Sequence, residues 1–308
     1  MLPIRSVVVG LALAAEVASF AIPSARTLRA APLEAAPSDA ADTLFASQEA
    51  SLASIKEALH LEAKDYPASL SLDSFAPTTG GSGALASFEA PGADNVAWCS
   101  DLRVTGGDVT LASLTVWCGP MKDVPHLVCR TTVTASAVDL YIDFRPRAAV
   151  GYETMLEDGT YPEPDSREAF MAKGERADFE KRFYADAGAL LSGCGGEKKG
   201  PPASDLEVAQ RSPVALDVTL PASPESVEAA AGLCSDAAAK WLEWAQDDQH
   251  LLKPGMQVTS TYARDTKLRA NNYALLVDAY SAVFGDQGTN LAAGDAGPLD
   301  EAYVGGAS

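Results

Sequence analysis

The chain carries none of the short signatures that hold a nucleotide, a flavin or a catalytic metal. No GxGxxG follows a strand-like run, no GxxxxGKS or GxxxxGKT occurs, and GxSxG, HExxH and any paired His/carboxylate ligand set are absent. Redox chemistry on this chain would therefore draw its electrons from a partner protein, with no cofactor bound. The five cysteines, Cys99, Cys118, Cys129, Cys194 and Cys234, are odd in number and lack CxxC or Cys/His spacing, so neither a zinc site nor a disulfide framework is encoded. Three of them, Cys99, Cys118 and Cys129, fall in strand-like stretches where a free cysteine acts as a small buried hydrophobe, and the set suits a reducing compartment. Positive charge is scarce as well. With 23 Lys and Arg against 42 Asp and Glu, the formal net charge is -19, which argues against general binding to polyanions, whether nucleic acid or an anionic membrane. An acidic partner would have to dock on a local basic patch. Lys173, Arg176, Lys181 and Arg182 form one such cluster, which reads equally as a solvated helix face.

What is present suffices for a large core. The 308 residues are 47% hydrophobic and 21% charged, a balance that folds, and one domain of roughly 250 residues would account for most of the chain. The N-terminus sets the domain's lower bound. Residues 1–22 resemble a signal peptide: Arg5 precedes an apolar run from Val7 to Ala15, about half the length a bilayer crossing needs. Residues 23–41 are transit-like, with the basic, hydroxylated Ser24 to Arg29 leading into an Ala/Pro-rich stretch. That order matches the bipartite leader of proteins entering plastids bounded by extra membranes, and Ala18 to Pro23 resembles its Phe-containing cleavage motif. Plain secretion is the alternative. No membrane span is expected, and residues 42–308 form the folded domain.

Within that domain, Phe45, Leu52, Ile55 and Leu59 recur at helical spacing and predict a helix from Asp42 to Leu61. Pro67 to Gly83 reads as a loop. Strands follow, with a weak start at Phe88, then Val96 to Val104 and Val109 to Trp117. In the last of these the apolar parity changes between Leu111 and Leu114, which predicts a bulge near Ala112 and Ser113. Arg167 to Leu191 reads as a helix, Ser192 to Asp205 as a loop and Val214 to Leu220 as a strand. Ser223-Pro224-Glu225 is a strong helix start, with an N-cap, a proline at the first helical position and an early acid. The stripe Val227, Ala231, Cys234, Ala238, Trp241 and Ala245 carries that helix through Asp247. After Lys253-Pro254-Gly255, a last helix runs from Arg264 to Phe284 and Gly285 closes it. Hairpin-spaced strands between helices predict an α+β layer fold around an antiparallel sheet.

The most informative stretch is Val124 to Arg147, VPHLVCRTTVTASAVDLYIDFRPR. Alternation places His126, Val128, Arg130 and Thr132 on one face of its first strand. In the second strand Val138, Leu140, Ile142 and Phe144 point one way and Asp139, Tyr141 and Asp143 the other. The two aspartates suit either the exposed side of an edge strand or a pocket wall. Arg130 beside His126 is harder to bury unless an anion faces them, either an acid such as Asp143 or a ligand carboxylate. In the last helix Asn272 sits within the stripe of Leu268, Leu275, Leu276, Ala279 and Val283, so its amide is aimed inward at protein partners or at a ligand. Asp278 lies to the side, toward solvent or a pocket rim.

Pro125 to Arg147, Ser212 to Val218 leading into Ser223 to Trp244, and Tyr262 to Lys267 through Phe284-Gly285 resemble the red chlorophyll catabolite reductase family, within the ferredoxin-dependent bilin reductase superfamily. The likeness runs in order over residues 42–308. It implies an α/β/α sandwich, a central antiparallel sheet flanked by helices on both sides, with a linear tetrapyrrole held between the sheet and the C-terminal helices. It also implies ferredoxin as the external donor of single electrons; the leader points to the plastid stroma, and a homodimer is one allowed assembly. The reaction implied is reduction of red chlorophyll catabolite to primary fluorescent chlorophyll catabolite. A haem-derived bilin as substrate, or pigment binding without turnover, are the alternatives. An acid that the family carries on the first hairpin strand aligns with Arg130, which gives up no proton near neutrality but can hold a propionate. A second family position, Asp or Asn in the last helix, falls at Asn272 or Asn271, or else at Asp278. His126, Asp143 and Asn272 are thus the catalytic candidates, and Arg130, Asp139, Tyr141, Asn271 and Asp278 the substrate-binding ones. His126 is the first choice as replacement proton donor if the charges around it leave its pKa near working pH.

Overall fold

Strands rich in β-branched and aromatic residues, joined by short turns, build one antiparallel sheet at the centre of a computed structural model that describes residues 37–65, 72, 74–93, 95–122, 124–145, 175–202, 204–212, 215–247 and 258–297. The strands are β1 (Glu62–Ala63), β2 (Gly81–Glu89), β3 (Val96–Gly106), β4 (Val109–Cys118), β5 (His126–Thr134), β6 (Ala137–Arg145), β7 (Glu197–Lys198) and β8 (Leu216–Pro221). Their spatial order is β1-β2-β3-β4-β5-β6-β8-β7, a meander in which β7 folds back on the outer edge. Both edges are two-residue strands, short enough to offer little template for pairing with another chain.

The helices are α1 (Pro37–Leu59), α2 (Glu175–Gly193), α3 (Asp205–Gln210), α4 (Pro224–Gln246), α5 (Val258–Phe284) and α6 (Gly288–Ala296). On one face α1, α2 and α4 bury Leu52, Ile55, Leu191, Ala237 and Trp241 against Leu114, Leu127, Leu140 and Ile142. On the other, Leu276, Tyr280 and Phe284 of α5 and Leu291 and Ala292 of α6 cover Leu102, Val104 and Leu111. The fold is α+β, an antiparallel sheet with helices on both sides.

The start of α4 follows its sequence signal closely. Ser223 is the N-cap, its hydroxyl accepts from the Ser226 N–H at 3.1 Å, and Pro224 occupies the first turn. Gly285 ends α5 with φ of 59°, which favours glycine. Three residues on, a Cβ at Gly288 would collide with the backbone of Tyr280 and Ser281, so glycine permits α6 to fold back against α5.

Four expectations change. The first long strand, β2, begins at Gly81 rather than near Phe88, taking the end of the predicted loop into the sheet, and a two-residue strand, β1, precedes it. Pairing between β3 and β4 runs unbroken through Ala112 and Ser113, and the irregularity lies at Val96 and Trp98. The parity change in β4 has another cause: the strand is buried on both faces from Thr110 to Cys118, so alternation is not required of it. The first helix starts at Pro37, earlier than Asp42, and α6 follows the helix expected to be last. The leader up to residue 36, Lys173 with the Arg176 side chain, Pro146-Arg147 and Lys253-Pro254-Gly255 lie outside the described residues, whereas Lys181 and Arg182 are exposed on α2. Among the described residues no helix is long and apolar enough to cross a membrane.

Candidate functional site

Antiparallel partners point to the same side of a sheet, so the register assembles one mixed face from four strands. Trp98 pairs with Trp117, whose ring lies 4.7 Å from His126, and His126 pairs with Arg145. The next row is Ser100, Thr115, Val128 and Asp143, followed by Leu102, Ser113, Arg130 and Tyr141. All lie on the side covered by α5 and α6. The hairpin alternation read from sequence is therefore the alternation in the structure, and the opposite row, Leu127, Cys129, Val138, Leu140, Ile142 and Phe144, enters the apolar core.

Arg130 is only partly buried and finds a different acid from the one expected. Its Nη2 is 3.7 Å from Asp295 Oδ2 on α6, and its Nε reaches Ser113 Oγ at 3.4 Å. Asp295 is fully buried and also accepts from Ser100 Oγ and from the Tyr280 hydroxyl, each at 2.5 Å. Burial alone would lower the Arg130 pKa, but Tyr280, Asp295 and Tyr141 outweigh it and hold it above the ordinary value. Arg130 stays a cation.

Asp143 belongs to a second group. Tyr141 donates to Asp143 Oδ2 at 2.7 Å, the Ser212 N–H donates to Oδ1 at 3.2 Å, and Arg145 Nε lies 3.5 Å from Oδ2. Burial pushes the carboxyl up to about 6 against the opposing pull of Arg145, Tyr141, Ser212 and Arg211. Tyr141 is itself raised, by burial and by the neighbouring Asp143, so it remains a neutral phenol that can donate. Since β6 lies between β5 and β8, Asp143 is not on an exposed edge.

Arg145 also donates to Asn272 Oδ1 at 2.7 Å and to Gln210 Oε1 at 3.0 Å, which explains the inward amide on α5. His126 is wholly buried: its Nδ1 accepts from the Cys118 N–H at 3.0 Å, so in the neutral ring Nε2 carries the proton and donates to Asp265 Oδ1 at 3.1 Å. Asp139 sits further out, accepting from Thr219 at 2.6 Å and pairing with Lys199 at 2.9 Å. Asn271 is half-buried on α5 and Asp278 is exposed. The structure thus gathers His126, Arg130, Tyr141, Asp143 and Asn272, leaves Asp139 at the margin and turns Asp278 away.

Among the described residues four buried polar atoms make no hydrogen bond: Thr115 Oγ1, Trp117 Nε1, Gln210 Nε2 and Arg145 Nε, the last of which keeps only its ion-pair distance to Asp143. Two come from β4 and one from β6, on either side of β5 on the mixed face, and Gln210 Oε1 accepts from Arg145. Each of the three without an ion-pair partner costs roughly 1 to 3 kcal/mol when nothing meets it. Three donors and a hydroxyl beside an apolar floor of Val128 and Trp98 suit a flat, largely apolar ligand with a few polar edge groups. Among the described residues no group of three or more His, Cys, Asp or Glu is arranged to hold a metal ion.

Sequence reasoning passed over Asp295, Tyr280, Arg145, Asp265 and Trp117. Arg145 simply continues the row Asp139, Tyr141, Asp143, and Asp265 stands seven residues before Asn272 on the same helical stripe. Asp295 gave no signal, because its short, Gly-containing helix has no clear apolar period.

No family model matches the chain, and no characterised protein matches it in sequence. Among solved structures it is similar to phytochromobilin synthase from tomato in complex with biliverdin, with 14% sequence identity, 80% of this chain and 81% of that chain covered, and a TM-score of 0.56. At that distance the shared property is the fold, and the mixed face described above belongs to a chain folded like the tomato synthase.

Proposed function

We propose that the protein binds a linear tetrapyrrole on the mixed face beneath α5 and reduces it with electrons delivered singly by reduced ferredoxin. The observation that carries this reading is the cluster of unpaired polar atoms around Val128, set beside a buried carboxyl raised to about 6, in a fold shared with a biliverdin-binding synthase. Thr115, Trp117 and Gln210 would meet the pyrrole and lactam edges. Arg130 and Arg145 would hold propionate groups or the negative charge of a one-electron-reduced pigment. With a pKa near 6, roughly a tenth of Asp143 is protonated at neutral pH, and Tyr141 can help return the proton. Asp143 is favoured over His126 as proton donor, because the His126 Nε2–H is directed to Asp265 rather than to the open donors. Asn272 has no proton to give and positions Arg145. Within this class, the family resemblance of the hairpin and C-terminal segments favours red chlorophyll catabolite, reduced to primary fluorescent chlorophyll catabolite in the plastid stroma.

A second reading, pigment sequestration without turnover, has one specific observation behind it: Arg130 stands where the resembling reductases carry an acid. One anaerobic experiment separates the two. Purified protein, reduced ferredoxin and red chlorophyll catabolite or biliverdin are mixed while absorption and fluorescence are followed. Loss of the long-wavelength pigment band is the expected result, a bound but unchanged spectrum supports sequestration, and an unshifted free-pigment spectrum overturns both. A fluorescent reporter fused to residues 1–41 should enter the plastid, and its secretion would contradict that location.

A further inference from the structure

On the opposite side of the sheet from the mixed face, a small cleft of about 20 Å3 is lined by Leu44, Gln48 and Ser51 of α1, Cys129 and Thr131 of β5, and Cys234 of α4, among others. Two thiols therefore share one cavity wall. The Cys129 thiol is directed at the Cys234 carbonyl, with 3.8 Å from Sγ to oxygen, and Cys234 Sγ lies 3.8 Å from the Thr131 hydroxyl. Cys129 is buried, whereas Cys234 is partly exposed. We propose that Cys129 and Cys234 form a peroxide-reactive dithiol site, in which Cys234 is the attacking thiolate and Cys129 the resolving thiol of a disulfide that ties α4 to β5.

The site differs from the other cysteines in its surroundings. The neighbouring Cys129 thiol, with a smaller contribution from Thr131, holds Cys234 below the usual cysteine range in spite of burial, and the proximity of Cys234 together with burial holds Cys129 well above it. Burial instead pushes the Cys99 thiol far up and leaves it inert. The chemistry closes with hydrogen peroxide as the only co-reactant. The Cys234 thiolate attacks one peroxide oxygen, the O–O bond breaks, hydroxide leaves, and the sulfur is oxidised by two electrons to a sulfenic acid. Cys129 then attacks that sulfur, the S–O bond breaks, and the departing hydroxide takes up the Cys129 proton as water. Because Cys129 and Thr131 flank Arg130 in β5, the cross-link would anchor the strand that presents Arg130 on the other face.

The test uses the full chain, a series of hydrogen peroxide concentrations, intact mass and a non-reducing peptide map. We expect a Cys129–Cys234 cross-linked peptide to form about tenfold faster than Cys194 is oxidised, and dithiothreitol to reverse it. In Cys129→Ala, the cross-link should vanish while Cys234 accumulates as a sulfenic acid that dimedone captures. In Cys234→Ser, Cys129 should stay unmodified. Oxidation of Cys194 ahead of an untouched Cys234 overturns the proposal, as does sulfenylated Cys234 that never cross-links in the wild-type chain. If either variant fails to fold, the wild-type peptide map alone decides.

Discussion

The two faces of the sheet are built from the same six long strands and have opposite chemistry. Toward α1, α2 and α4 the face is apolar and its polar atoms are satisfied: Phe144 sits among Phe179, Phe183, Tyr184 and Trp244, and Trp241 Nε1 donates to the Pro125 carbonyl at 2.8 Å. Toward α5 and α6 the face buries Asp143, Arg145, His126 and Asp295 and, among the described residues, leaves four polar atoms without a hydrogen bond. A sheet can carry so expensive a face because its other face supplies the packing. Packing and the proposed pigment site are thereby separated by the period-2 alternation of single strands, so changes one residue apart in sequence should fall into different classes of effect.

The largest effect expected on the apolar side is that of Trp241→Ala. Emptying a fully buried indole site should cost about 3 to 5 kcal/mol, and the Pro125 carbonyl loses its donor as well. Denaturant unfolding would measure this, with pigment affinity of the folded fraction unchanged. Asp143→Asn should do the reverse. The carboxyl has a folded-state pKa of about 6 against an ordinary value of 3.8. Raised in the native state, it binds its proton more tightly folded than unfolded, so its contribution is most favourable below pH 4 and declines as pH rises toward 6. Above that it is a cost of about 3 kcal/mol. The Asn variant should therefore lose the stability slope between pH 4 and 6 while reduction of the pigment falls by about a hundredfold or more. A slope that survives in the variant would remove Asp143 from the proton-donor role.

How much of this contrast was legible in the chain depends on which face is considered. Alternation in β5 and β6 placed His126, Arg130, Tyr141 and Asp143 on one side because half of those strands is apolar and half is not. The same rule failed in β4, where Leu111, Ser113, Thr115 and Trp117 all point to the mixed face and are as buried as their neighbours. A strand covered on both sides carries no period to read, and the bulge inferred there was the product of that missing period. Asn272 was visible as a polar break in a stripe, but its partner Arg145 was not, since pairing across 127 residues is set by the sheet order. The acid facing Arg130 came from α6, an element with no sequence signal of its own. Local rules thus gave the face of each side chain and missed the contacts that the tertiary fold makes between distant segments.

Asn272→Ala tests one of those contacts. It removes an acceptor from Arg145 Nη1 and leaves it Gln210 Oε1, so a loss of about 1 to 3 kcal/mol is expected in denaturant unfolding. If Asn272 positions Arg145 for the pigment, affinity should fall together with stability, whereas Gln210→Ala should lower affinity more than stability because its Nε2 is already unpaired. Equal losses in both variants would place Gln210 in the structural network alone.

The smallest effect is expected at the margin of the mixed face. Asp139 is held by Thr219 and by Lys199, whose side chain is 41% exposed. An ion pair so open to solvent is screened by salt and contributes about 0.2 to 1 kcal/mol, so Lys199→Ala should scarcely shift the unfolding midpoint. Pigment affinity provides the sharper reading. If the ligand ends at Arg130 and Tyr141, the variant binds as wild type. If the ligand extends one row further along β6, release of Asp139 from Lys199 exposes a carboxylate to the pigment's own propionates, and affinity should fall in low salt and recover as salt is raised. A salt-independent loss would mean that the face is set by packing at Thr219 rather than by charge, which would move the boundary between the two kinds of residue outward by one strand position.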